Sequence, residues 1–297
     1  MKLGMKKESA IGQVILNIVF IIMSLAVVLP FLLLVSVSLS SETDISYLGY
    51  RLIPKHLDLS AYRYVFKHPD VILNAYKVTA IFSFISMVLS TVLTSLFAYP
   101  LSRKNFKARN KLSLFMYFTT MFSGGLVPTY ILITQYLHLA NNILVYIIPG
   151  AFSVWNAFVM RTFFNGLPES IVESAYMDGA GEYRILFQIV YPLSTPVLAT
   201  MAVGTFLGKW NDWNTAMLYI DDSKLYSLQY MLQRIIQNLT LLQNNEEAAM
   251  LFSDAAKVPA ETVRMAMAVV VAGPILFVFP FFQKYFVKGM VLGSVKG

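Results

Sequence analysis

The 297-residue chain has no cysteine, three histidines and charge on only 13% of its residues. Without cysteine there is no disulfide framework, thiolate metal site or thiol nucleophile. No two of His56, His68 and His138 stand at i,i+3 or i,i+4 spacing. The helical pairing of imidazoles that holds many metal ions is therefore missing, and neither a metal nor a bound cofactor is expected on this chain. A soluble domain carries about 25% charged residues, so half the usual surface charge is absent. That excludes an ordinary soluble enzyme. In its place, 57% of the residues are hydrophobic. Net charge is +7, which in so apolar a chain records membrane orientation rather than nucleic-acid binding.

The missing charge is concentrated in blocks. Uncharged stretches run from Ser9 to Ser41, Val78 to Ser102, Leu112 to Met160, Ile185 to Gly208 and Met265 to Gln283. A bilayer core of about 30 Å needs roughly 20 apolar residues as helix. Four blocks supply one span each and the third supplies two, giving an all-α membrane protein of six spans. These are expected near 11–38, 76–101, 112–135, 142–162, 191–212 and 264–284, with a loop at 163–190 and longer loops at 39–75 and 213–263. A cleaved signal peptide is the alternative for the first block, since Ser36-Val37-Ser38 offers small residues. Its apolar run is too long for that role, and a retained helix kinked at Pro30 is favoured.

Basic loops stay in the cytoplasm. Lys2, Lys6 and Lys7 in residues 1–10, the run from Arg103 to Lys111, and the C-terminal Lys284, Lys288 and Lys296 all fall on one side of a six-span chain. Both termini are then cytoplasmic and the acid-rich 213–263 loop is external. Within that loop, Tyr226 to Leu242 has helical periodicity and an apolar face that needs covering, by this chain or by a partner.

The 163–190 loop differs from the others. Pro168, Glu169 and Glu173 suit the first turns of a short helix, Gly179 and Gly181 break it, and Pro192 opens the following span. Ile171, Ala175 and Met177 to Asp178 form its expected apolar face. Four acids, Glu169, Glu173, Asp178 and Glu182, would be repelled by an anionic leaflet, so this helix is expected to dock on protein.

Glu173-Ser174-Ala175, Gly179, Ile189 and Pro192 together resemble the EAA motif, E-A-A-x3-G-x9-I-x-L-P, of ABC importer permeases with the type I, MetI-like fold. Ser174 and Tyr191 depart from that pattern. Phe122 to Tyr130, Trp210 to Asn214 and the tail from Val287 are similar to the carbohydrate branch, maltose-type and LplC-like. The resemblance implies a non-catalytic permease, half of a pore in a bacterial cytoplasmic membrane. Its implied partners are a second six-span permease, two ATPase subunits carrying ATP and Mg, and an external solute-binding protein. It also implies a coupling role for Glu173, Ser174, Ala175, Asp178, Gly179, Ile189 and Pro192, with Glu173 as anchor.

Oligosaccharides or polysaccharide fragments are the implied cargo, with peptides or another solute as the alternative. Trp210, Asn211, Trp213 and Asn214 combine aromatic faces with amides and form a candidate cargo pathway, or else anchor the helix at the membrane interface. Lys209 beside them either snorkels or meets cargo. Gly204 and Gly208 offer a small-xxx-small face for helix packing. In similar subunits the tail, here Gly293, Lys296 and Gly297, reaches the ATPase. A secondary transporter would usually carry an intramembrane acid, and none interrupts the five blocks.

Overall fold

The computed structural model describes residues 10–244 and 259–294. Among them the regular structure is helical, apart from one isolated bridge pairing Ser40 with Leu57. Two helices are long and apolar enough to cross a membrane unbroken: α1, Ala10–Ser38, through its Gly12–Ser38 portion, and α4, Pro69–Ser102. Between them lie the short α2, Glu42–Leu48, and α3, Ser60–Val65. By contact density the chain divides into one unit of residues 1–69 and 235–272 and another of residues 70–234 and 273–297.

In the first unit, α1 exposes nearly all its side chains up to Leu32, as a helix facing lipid does, and Pro30 lies inside it. Ser36 donates to the Arg51 carbonyl at 2.7 Å, and Ser38 shares a hydrogen bond with the Tyr62 hydroxyl at 2.8 Å. These bonds fix the path of the chain as it leaves α1. The last helix, α15, Ala260–Ser294, starts in this unit. Its first N–H groups have no partner within the helix. Glu42 supplies one from a distance: its carboxylate accepts from the backbone N–H of Glu261 and of Thr262, each at 3.0 Å, and from the Thr262 hydroxyl at 2.9 Å. Arg264 then joins Glu261 at 2.7 Å and the Thr240 hydroxyl at 2.9 Å.

The second unit is built on α4. Its buried face carries Thr79, Ser83, Ser86, Ser90, Thr94 and Ser95, a stripe of small hydroxyl side chains at helical spacing. Small residues allow close helix approach where hydrophobic burial cannot drive packing. Around α4 lie α5, Arg109–Met121; α6, Leu126–Ile131; α7, Leu144–Ile147; and α8, Val154–Asn165. They are followed by α9, Glu169–Met177; α10, Glu182–Ile185; α11, Tyr191–Leu193; α12, Thr195–Trp210; and α13, Asn214–Tyr219, while α14, Leu228–Asn244, begins in this unit and has most of its length in the first. One core gathers Val78, Phe82, Tyr146 and Tyr219, with the Phe82 and Tyr146 rings stacked at 4.2 Å. A second gathers Tyr99, Met160, Phe164 and Ile185.

Two apolar blocks that read as continuous in hydropathy are bent. The chain turns by 110° between α5 and the Leu126–Tyr136 helix, at a break where Gly125 has φ +85°. A second turn of 82° separates Glu182–Leu193 from α12, at Ser194 and between Pro192 and Pro196. The physical reason is local. Glycine admits the left-handed conformation and proline removes a helical donor, so direction changes there without any loss of hydropathy. The 142–162 region holds α7 and the start of α8, separated by residues 148–153. In the periodic stretch of the 213–263 loop, α14 forms as expected and buries Leu228, Leu232 and Leu239.

Removing the Glu42 cap is expected to cost about 1–3 kcal/mol, the range for a charge-assisted bond at a helix start. A Glu42→Ala chain in detergent should unfold at a lower temperature than wild type, with faster amide exchange at Glu261 and Thr262. Unchanged exchange at those two amides would contradict the capping role.

Candidate functional site

The 163–190 segment leaves α8 at Asn165 and turns through Gly166 and Leu167 to Pro168, which precedes α9 with extended backbone. Nine residues later α9 is closed by a paired-carbonyl cap. Gly179 N–H reaches the Tyr176 carbonyl at 3.0 Å, and Ala180 N–H reaches the Ala175 carbonyl at 2.9 Å. That cap needs a left-handed residue after the helix, and Gly179 supplies it with φ +78°. Gly181, with φ −75°, leads into α10.

The two faces of α9 have separate fates. Val172 and Ala175 are buried, in the core of Tyr99, Met160, Phe164 and Ile185. Ile171, Glu173, Ser174 and Met177 are exposed, Met177 to 87%. Of the apolar docking face expected at Ile171, Ala175 and Met177, Ile171 and Met177 are exposed whereas Ala175 is buried; the inward residues are Val172 and Ala175, which stand on one side at i,i+3 spacing. The close contact at Ala175 is made within the chain. Glu173 has no side-chain partner among the described residues, and Asp178 ends the helix exposed. After α10 the chain passes through a π-helical turn, Leu186–Val190. Ile189 is half-buried there, and Pro192 follows, exposed, in α11.

A carboxylate holds the hairpin in place. Glu182, first in α10, accepts from the Tyr99 hydroxyl at 2.6 Å and from the Tyr176 hydroxyl. Burial first, and then the bond to Glu182, push the Tyr176 phenol up to about 12, so it remains a donor at neutral pH. Glu182 therefore joins the end of α4 to both arms of the hairpin. Sequence reading missed this clamp, since Tyr99 lies 83 residues away within an uncharged block. Lys104 adds a pair with Glu169, both well exposed and so of small energetic weight.

At the far end of α12 the expected cargo residues separate. Trp210 is buried against Tyr76 and Phe206, with ring centroids at 6.5 and 5.7 Å. Asn211, Trp213 and Asn214 are exposed, and the Asn211 side chain bonds the Leu207 carbonyl and Gln229, each at 2.9 Å. Lys209 is turned inward rather than snorkelling. Its Nζ donates to the Tyr146 carbonyl and lies 3.9 Å from Asp212 Oδ2. Space for it exists because Gly150 has no Cβ, which would stand 2.9 Å from Nζ. Lys209 and Asp212 line a cavity of about 680 Å³ with Ser90, Ser153, Asn156 and Thr205. Gly204 and Gly208 open on the same cavity, with no atom within 4 Å of where a Cβ would sit. Gly293 lies near the end of α15, whereas Lys296 and Gly297 fall outside the described residues. No cluster of metal-ligating side chains occurs among the described residues.

The chain is 36% identical over 274 residues to the polygalacturonan/rhamnogalacturonan transport system permease protein YtcP of Bacillus subtilis, covering 92% of this chain and 94% of that protein. It is 36% identical over 270 residues to protein LplC of the same organism, covering 91% and 90%. Among solved structures, a chain from a bacterial ABC transporter involved in the import of the acidic polysaccharide alginate superposes with a TM-score of 0.79 at 28% identity, covering 96% of this chain and all of that one. Residues 2–292 match the family of binding-protein-dependent transport system inner membrane components, and the chain belongs to that family.

Proposed function

We propose that this chain is the permease subunit of an ATP-driven importer that brings oligosaccharides or polysaccharide fragments into a bacterial cell, and that α9 couples it to the ATPase. The observation that carries the coupling reading is the division of α9. One face is locked into the core through Val172, Ala175 and the Glu182 clamp, while Glu173 projects from the other without a partner. A docking helix needs both: a rigid seat and a free charge. Ser174, Asp178 and Gly179 shape the exposed edge and the turn, and Ile189 and Pro192 connect that turn to α12.

In this reading the chain crosses the cytoplasmic membrane six times, with both termini inside. The two bent segments, the α7–α8 stretch and α15 complete the spans that α1 and α4 begin. Two ATPase subunits, which bind ATP and Mg, sit under the hairpin and receive the tail from Gly293 to Gly297. A second permease packs along the open Gly204 and Gly208 face, where close approach is unobstructed. An external binding protein delivers cargo to the side of Asn211, Trp213 and Asn214, with Trp210 bracing them from below. The carbohydrates named for YtcP and for the alginate importer support sugar cargo over a non-sugar solute such as a peptide. Ser90, Asn156 and Thr205 bring hydroxyls and an amide to an otherwise largely apolar cavity, groups able to bond polyhydroxylated solutes.

With the importer reconstituted, Glu173→Lys should lower binding-protein-stimulated ATP hydrolysis at least about tenfold, as reversal of a docking charge does, while the chain still accumulates in the membrane. Full stimulation in that variant would refute the coupling role. The turn gives a paired expectation. Gly179→Ala places a side chain in left-handed backbone, at a cost of roughly 1–2 kcal/mol, whereas Gly181→Ala meets neither strain nor a contact within 4 Å. Stimulated hydrolysis should therefore fall in the first variant and persist in the second. Equal activity of the two would show that the cap at Gly179 does not matter for coupling.

A further inference from the structure

A second cavity, of about 1020 Å³, lies behind the hairpin, between the end of α4, the start of α5, the end of α8 and α9. That is large enough for a small-molecule site. Its lining includes Arg103, Arg109 and Arg161, brought from three separate places in the sequence. All three are half-buried.

Three carboxylates line the cavity, Glu169, Glu173 and Glu182, and Glu173 pairs with none of the arginines. Glu169 holds Lys104, and Glu182 holds two phenols. Among the described residues, none of the three guanidiniums has a carboxylate oxygen within 4.0 Å. Arg103 lies over the Tyr99 ring at 4.5 Å, and Arg161 Nη1 donates to the Ser113 hydroxyl at 2.8 Å. The Nε atoms of Arg103 and Arg161 are buried without an acceptor. Guanidinium carries only donors, and its planar fork matches phosphate oxygens. Three such groups in one cavity, short of acceptors, form an anion site that lacks its anion within this chain.

The rest of the lining narrows the class. Leu96, Phe106, Leu167 and Leu186 give the cavity apolar wall. It opens at the end of α4, a helix long and apolar enough to cross a membrane, so in the six-span reading it falls where the span leaves the hydrocarbon. A free phosphate would use the arginines and leave that wall bare, whereas a lipid uses both. We propose that this cavity binds the phosphate group of an anionic phospholipid, its head among Arg103, Arg109 and Arg161 and its chain along the apolar wall. The lipid would thus sit between the seat of α9 and the membrane. The site requires no coupling role for α9 and is tested by binding alone.

The full chain, purified with its partner subunits, is exchanged into neutral detergent with phosphatidylglycerol or phosphatidylcholine and weighed by native mass spectrometry. One phosphatidylglycerol should stay bound where phosphatidylcholine does not. In the double variant Arg109→Gln, Arg161→Gln, retention should drop about tenfold. The control Lys107→Gln, an exposed loop residue outside the cavity, should behave as wild type. Millimolar inorganic phosphate separates the sources: failure to displace the lipid supports the phospholipid, and a phosphorus NMR signal from bound phosphate without lipid retention overturns it in favour of a soluble anion. Wild-type protein that retains both lipids equally and binds no phosphate overturns the proposal, with no reliance on any variant folding. Undiminished phosphatidylglycerol retention in the double variant overturns it as well.

Discussion

A single carboxylate, Glu182, accepts from two phenols that belong to different parts of the fold: Tyr99 in the last turns of α4 and Tyr176 in the last turn of α9. Charge-assisted bonds of this kind are stronger than neutral ones and have a defined direction. Without Glu182, α9 would be held to the rest of the unit by Val172 and Ala175, by the exposed Lys104–Glu169 pair and by a turn. With it, a load on the hairpin is passed directly to a helix long and apolar enough to cross a membrane. Movement of α9 by a partner would have to carry α4 with it or break the clamp.

Much of this was legible in the sequence. Charge-free blocks marked where α1 and α4 lie, because a residue either tolerates hydrocarbon or does not, and that is a property of composition. The hairpin was legible from Pro168, Gly179 and the acids between them, since caps and turns depend on residues a few places apart. The bends at Gly125 and Ser194 were harder to read. Hydropathy measures transfer into lipid and is blind to the direction of the backbone, so a turn of 110° leaves it unchanged.

Features that depend on distant residues were hidden. Lys209 reads as a cation at a helix end, and only the missing side chain of Gly150, 59 residues earlier, explains why it folds inward. The inward face of α9, Val172 with Ala175, was not legible because a nine-residue helix with apolar side chains on several sides gives no periodic signal strong enough to choose one. Arg103, Arg109 and Arg161 are scattered across 59 positions and become one charged surface only after folding.

The separation of the two faces of α9 also bears on how such a chain changes over generations. Substitutions at Ile171, Glu173 and Met177 touch nothing in the interior, so they can accumulate without loss of the fold, while Val172, Ala175 and Glu182 are tied to many neighbours. If α9 docks on the ATPase as proposed, a duplicated gene could be re-addressed to a different ATPase by drift on the outer face alone. Under the proposed coupling role, loyalty between subunits and integrity of the fold are set by different residues of the same short helix.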